Sequence, residues 1–409
     1  YLPKKGSFDI NHILIRELDA HLSLKSIVSD SIRLRLRQLS FKEQSGLDLR
    51  NMSFTVTANQ HEALVTQFLL NFPHTTLKAD TLHTFFDLNA KDVLNAMHSH
   101  AKLEISPLTL SDFAFIVPKL SNFEERINSV IDVQQEGREI VVNNIQIATE
   151  SQNIQFQSHA RVHLPADSLD ALTASTEIQQ LIVQPSAYPM LFNNLQLGNT
   201  PPMLTRLGRI QYAGELKATG DGLHSAGIWN TAAGQVRTDM VFTNEKKIRG
   251  AIETGNLNVG QLTGNQKLGE IAGRVQFNGL FINGKPSGKV LGDISSFEYN
   301  NYPIHNTHID AQIAQNEAQG SISFEDENLQ LDLNGYASLS KQMYDIQAKF
   351  QHVRPCVIGF QPERDRIYSG GIDASLQGND INNLLGSIDI NNFGVQDSTS
   401  TYHMGQLKL

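Results

Sequence analysis

Apolar and polar residues alternate along most of the chain. In Ile32-Arg33-Leu34-Arg35-Leu36-Arg37 the apolar residues fall on one side of an extended backbone and the arginines on the other, because side chains two apart share a strand face. The pattern returns in Phe54–Ala58, Ile154–Gln157, Ala160–Leu164, Gly208–Tyr212, Gly273–Phe277, Leu329–Leu333 and Ser387–Ile390. One dry and one wet face marks an antiparallel sheet with a single apolar side. Between these segments lie Asn283-Gly284, Asn334-Gly335 and Gly378-Asn379-Asp380, residues that supply the positive φ of tight hairpins. The predicted class is all-β: a long, curled, mostly antiparallel, repeat-built sheet.

Helical signals are few. Pro107–Leu120, Pro185–Leu195 and Asp92–His98 carry short apolar stripes of one to three turns. Helices of that length do not persist alone in water, so they are expected to dock as plugs on an apolar surface. A strand running into such a plug occurs at Leu103–Pro107, Leu181–Pro185, Leu257–Gln261 and, more loosely, Phe350–Pro355, with starts 78, 76 and 93 residues apart. Two of the strand runs that follow open almost identically, Gly208-Arg209-Ile210-Gln211-Tyr212-Ala213-Gly214 and Gly273-Arg274-Val275-Gln276-Phe277-Asn278-Gly279. Near-regular repetition predicts a stacked, quasi-linear architecture. The segments are 1–102, 103–180, 181–256, 257–349 and 350–409, within one continuous elongated domain. Leu197–Pro202 reads either as a joint or as a loop inside the sheet.

Composition narrows the function. The chain has 409 residues, 18% of them charged, and a net charge of −9, which argues against a nucleic-acid partner. Its single cysteine, Cys356, excludes an intramolecular disulfide and a cysteine-built zinc site, and its default reading is a buried structural thiol. No apolar run is long enough for a membrane-spanning helix, and residues 1–10 lack a signal-peptide core. The chain is expected to be an internal piece of a longer protein.

Each catalytic motif falls short. Gly279–Lys285 begins like a phosphate-binding loop, but Pro286 stands where Ser or Thr should ligate magnesium. His61-Glu62 begins like a zinc-protease helix, but Val65 replaces the second histidine. His98 with His100, and His305 with His308, lack further ligands in reach. Asp365, Asp373, Asp380 and Asp389, with Glu325, Asp326 and Glu327, read as solvated carboxylates in alternating strands or polar turns. Arg33, Arg35 and Arg37 form a basic stripe, either a strand's wet face or a contact for anionic head groups. No nucleophile–base pair is evident; the chain is read as a non-enzyme with no metal and no cofactor.

The strand–plug–strand repeat resembles the AsmA-like superfamily, and within it the translocation and assembly module (TamB) branch in its Bacteroidetes form. The resemblance is carried by Phe68–Leu82 (strand, proline, polar turn, strand), by Ile105–Phe113 with Val117–Leu120 (plug), and by Leu291–Pro303 with Gly320–Leu329. It implies a curled sheet, or β-taco, around an apolar trough. It also implies a periplasmic protein, held in the inner membrane by an amino-terminal helix outside this chain. The implied partners are phospholipid and an outer-membrane barrel of the TamA/BamA kind, reached through parts outside this chain. The implied function is transport of phospholipid from inner to outer membrane, and outer-membrane biogenesis.

An apolar trough would hide acyl chains, each costing on the order of 12 kcal/mol in water at about 0.8 kcal/mol per CH₂. About 28 strands at about 4.8 Å would make it about 130 Å long. The candidate lining residues are Ile32, Leu34, Leu36, Phe54, Val56, Ile154, Phe156, Val162, Ile210, Tyr212, Val275, Phe277, Ile322, Phe324, Leu329, Leu331, Leu333, Ile388 and Ile390. The same period would equally fill a closed sandwich core. A scaffold or chaperone offering a sheet edge to nascent barrel strands, and a repeat-built adhesin, are the other readings.

Overall fold

The computed structural model describes residues 13–28, 30–166, 171–194, 197–282, 285–360, 364–379 and 383–409. The protein is all-β, with 24 strands and a few short helices among these residues. The chain divides into two compact units, Tyr1–Gly220 and Asp221–Leu409. The number of strands is below the roughly 28 expected at one per hairpin arm, because inserts and loops take up chain.

The first unit contains β1 (Ile15–Val28), β2 (Ser31–Glu43), β3 (Asp48–Leu49), β4 (Asn51–Ala58), β5 (Glu62–Asn71) and β6 (Thr76–Phe85). It continues with β7 (His98–Thr109), β8 (Arg126–Glu136), β9 (Glu139–Thr149), β10 (Ile154–His163), β11 (Thr173–Val183) and β12 (Ile210–Thr219). The second contains β13 (Gly222–Thr231), β14 (Gly234–Thr243), β15 (Lys247–Asn258), β16 (Leu268–Ile282), β17 (Lys285–Tyr299) and β18 (Tyr302–Ala314). There follow β19 (Glu317–Asp326), β20 (Leu329–Ser338), β21 (Met343–Val353), β22 (Ile367–Gln377), β23 (Leu385–Gln396) and β24 (Thr401–Lys408).

Within each unit the strands pair antiparallel in chain order, except that β2 pairs with β4 across the two-residue β3. Among the described residues no pairing joins the first strand of a unit to its last, so neither sheet closes into a barrel.

The helical elements are α1 (Ala187–Asn194), α2 (Pro202–Leu207), α3 (Val259–Thr263) and two 3₁₀ turns, Leu110–Phe113 and Pro118–Asn122. They follow β7, β11 and β15, and an irregular insert, 354–360, follows β21. The four repeat copies seen in the sequence are therefore the ends of these strands. The strands between inserts number four, four and six. An even number returns an antiparallel chain to the side it left, so within each unit every insert emerges on one rim, beside hairpin turns such as Asn300-Asn301 and Glu327-Asn328.

Several expectations change. Pro107–Leu120 forms no continuous helix: β7 runs through Pro107 to Thr109, and two 3₁₀ turns follow. Asp92–Met97 is a turn that leads into β7 at His98; in it the Asn95 N–H bonds to Asp92 Oδ1 at 3.2 Å, and Arg138 holds Asp92 at 2.6 Å. Ile154–Gln157 and Ala160–Leu164 belong to one strand, β10, whose register shifts at Ser158. Asn334-Gly335 lies inside β20, where Gly335 pairs with Gly320 and Ile346. Leu197–Pro202 lies inside the first unit, running from beyond α1 into the first residue of α2. Asn283-Gly284, Leu195 and Asp380 lie outside the described residues.

Candidate functional site: an apolar face in each unit

Cross-strand partners share a face, so the register traces each face across its sheet. In the first unit one row runs Leu24, Leu34, Val56, Val65, Leu82, Ala101, Val133, Val142, Ala160, Thr176 and Leu216. A parallel row runs Leu70, Leu77, Ile105, Ser129, Ile147, Phe156, Leu181 and Tyr212. Ile32 and Leu36 flank Leu34, Phe54 faces Leu36, Ile154 and Ile210 both face Val183, and Val162 faces Ala174. All ten residues singled out in this unit, Leu34 and Val56 among them, thus lie on a single face.

In the second unit the central row is Ile252, Val275, Gly292, Ile309, Ile322, Leu333, Ala348, Ile372, Ile390 and Leu407. Phe277 and Ile388 lie in the next row on one side. Phe324 and Leu331 lie in the row on the other, with Leu329 beyond them facing Val353. These nine residues also share one face.

The packing on these faces separates an open surface from a closed core. Of the 19 residues only Leu36, Tyr212 and Leu329 are buried, Ile32 is 50% exposed, and the others are half-buried. Two separately compact units of this mass would expose about 19,000 Å²; the protein exposes 24837 Å². Side chains on each apolar face touch their neighbours along the sheet without being roofed by a second layer.

Burial is concentrated where inserts meet the rim. In the first unit Phe123 and Tyr188 are buried, Phe113 packs edge-on against Phe72 at 5.4 Å, and the Tyr188 hydroxyl donates to the Gly208 carbonyl. Burial raises the Tyr188 pKa above the ordinary phenol value. Asp112 fastens the 3₁₀ insert by accepting from the His74 backbone N–H at 2.9 Å and meeting its Nδ1 at 3.1 Å.

In the second unit Ile358 packs with Ile304 and Leu329 against Phe297, Tyr302, Phe324 and Val353. Tyr299 stacks on Phe360 at 5.1 Å, and Asn300 Nδ2 donates to the Gly359 carbonyl at 3.0 Å. Arg354 completes the latch with Asn328 Oδ1 at 3.0 Å and both oxygens of Asp365 at 2.5 and 3.1 Å. The hydrogen bonds from Arg354 hold the Asp365 carboxyl below its usual range. Cys356 is half-buried and donates to Asp365 at 3.3 Å; burial and then that carboxylate push its thiol up.

Asp326 overturns one expectation. It is 3% exposed and accepts from the Tyr302 hydroxyl at 2.6 Å and from the backbone N–H groups of His305 and Asn328 at 3.0 and 2.9 Å. It organises the β19–β20 turn instead of standing in solvent. Nothing in the sequence pairs it with Tyr302, 24 residues away.

The opposite faces are polar. In the second unit Arg237, Glu253, Arg274, Asp293 and His308 stand in one row of alternating sign, with His308 Nδ1 2.8 Å from Asp293. His100 lies 3.2 Å from Asp132. Asp373 and Asp389 face one another across β22 and β23, flanked by Lys408 at 3.6 Å from Asp389 and by Asn391 at 3.4 Å from Asp373. A hollow of about 440 Å³ in the second unit is lined by Arg249, Arg274, Asn278 and Lys289 together with Val241, Phe277 and Leu291.

Among the described residues no group of three His, Cys, Asp or Glu could hold a metal ion, and no helix is long and apolar enough to cross a membrane. No protein-family model, curated protein or solved structure gives a significant match to the chain.

Proposed function

We propose that this protein shields the acyl chains of phospholipid on its apolar sheet faces, as a periplasmic, TamB-like segment of a carrier between the inner and outer membranes of a Gram-negative envelope. The observation that carries the reading is the half-exposed apolar row in each unit, ten or eleven strands wide. A lipid needs no fixed polar pocket, only continuous hydrocarbon contact worth about 0.8 kcal/mol per CH₂ removed from water. The polar faces, laced with cross-strand charge pairs, keep the opposite side in water.

The test is lipid extraction and native mass spectrometry of the purified chain. Co-purifying phospholipid is expected, and Phe277→Glu is expected to lose it while retaining the β-sheet circular dichroism of the wild type. A lipid-free wild type would sink the reading, and unfolding of the variant would assign Phe277 to an ordinary core.

A scaffold for barrel-protein assembly is the second reading. Binding of unfolded barrel peptides in the absence of lipid would select it.

A further inference from the structure

We infer that the loop 86–97 of the first unit is a self-docking surface, through which two copies of this chain pair about a twofold axis. Phe85 at its entry and Leu88, Val93 and Leu94 within it are 48%, 62%, 39% and 44% exposed. Large apolar side chains gathered on one water-facing connection mark an interaction site. The neighbouring turns, Asn59–His61 and Gly137–Arg138, are polar.

The loop is pinned from beside it. Arg138 holds Asp92 Oδ2 through Nε and Nη2 at 3.1 and 2.6 Å and reaches the Pro165 carbonyl with Nη1 at 3.0 Å. The Gly137 N–H donates to the Met97 carbonyl at 2.7 Å, and the Phe86 N–H donates to the His61 carbonyl at 2.8 Å. Gly137 has φ +60°, and a Cβ there would lie 3.0 Å from the Asn95 carbonyl oxygen, so the β8–β9 hairpin comes up hard against the loop. A backbone fixed in this way presents Leu88, Val93 and Leu94 with little ordering left to do on association.

The charges select the partner. Asp87 and Lys91 are exposed on either side of Leu88 in the chain. Among the described residues Lys91 has no ion pair, and Asp87 accepts only from the Asn89 N–H at 2.9 Å. An isologous contact needs a patch that carries its own complement, residue i of one copy meeting residue j of the other and j meeting i. Asp87 of each copy against Lys91 of the other, with apolar side chains between, satisfies that need. An anionic bilayer fits less well. Phe85 pairs with Glu62 and His98, and His98 pairs with Glu136, so carboxylates stand at the base of the loop and would repel anionic head groups. The patch is small against the roughly 800 Å² per partner of a stable dimer, so the association is weak and reversible.

Sedimentation velocity of the full chain tests it. The wild type is expected to pass from monomer to dimer as its concentration rises through the micromolar range. L88S/L94S is expected to weaken the dimer at least about tenfold while keeping the wild-type circular dichroism. Asp87→Lys alone and Lys91→Asp alone set like charges against one another, and each is expected to weaken the dimer at least about tenfold. An equimolar mixture of those two variants sets opposite charges at both contacts and should restore it. The inference does not rest on acyl-chain shielding, and Phe277→Glu is expected to dimerise as the wild type does. A wild type that stays monomeric, a dimer that L88S/L94S does not weaken, or a mixture no stronger than its components would each overturn the inference. So would a monomer that floats with phosphatidylcholine vesicles and loses them in L88S/L94S.

Discussion

The two units use the same alternation and fill their faces differently. The first holds seven of the 29 glycines and the second holds 22. In the first unit the two rows traced above contain no glycine, and burial comes from bulky inserts, with Phe123 and Tyr188 pressed onto the rim. In the second, large side chains stand across from glycines, as Phe277 does from Gly250, Val275 from Gly292 and Phe350 from Gly370. A Cβ on Gly250 would lie 2.1 Å from the Asp239 carbonyl and 2.6 Å from Met240 Sδ. The lesson is that a single-layered sheet can be held by weight at its rim or by close approach along its length.

That contrast can be broken by experiment, because the single tryptophan, Trp229, lies in β13 and reports on the second unit alone. The largest effect is expected from Phe123→Ala, about 3–5 kcal/mol. It should lower the urea midpoint read by circular dichroism and leave the Trp229 fluorescence midpoint in place. A shift of both together would show that the units unfold as one. Gly250→Val is expected to cost about 3 kcal/mol through overpacking and to move the fluorescence midpoint, the reverse of Phe123→Ala.

Ile358→Ala, which thins the insert core over Ile304 and Leu329, is expected to cost about 2–3 kcal/mol and to speed amide exchange at Val357 and Ile358. The smallest effect is acid loosening of the same insert. The Asp365 carboxyl is held below its usual value, so its contribution is complete above about pH 4 and is lost as pH falls through the lowered value. Exchange of the 354–360 amides should rise in that acid range, and Asp365→Asn should remove the pH dependence.

Much of the fold was legible because period two is a strong local signal. Every residue chosen from the alternating segments lies on the face its period assigns. Where a turn dipeptide competed with alternation, alternation won. Gly335 continues the face of Leu329, Leu331 and Leu333, and its lack of a side chain is a packing feature across from Gly320 and Ile346.

The inserts were legible as places and not as shapes. The Asn258 side chain does cap α3, accepting from the Gln261 N–H at 2.7 Å, a spacing visible in the sequence. Asp92–His98 and Pro107–Leu120 instead take conformations set by distant partners such as Arg138 and Phe72. Whether the apolar face would be roofed was illegible in principle, since a core and an open face share one pattern. The sparse burial along the rows resolved it.

The even spacing of the inserts restricts how such a chain can be lengthened. Adding or deleting one strand would send every later insert within that unit to the far rim and reverse the direction of each later strand. Adding a hairpin would do neither. Growth by whole hairpins is therefore the step that extends the sheet while leaving one rim stoppered and the other free, and the change from four strands to six between α3 and the 354–360 insert has that form.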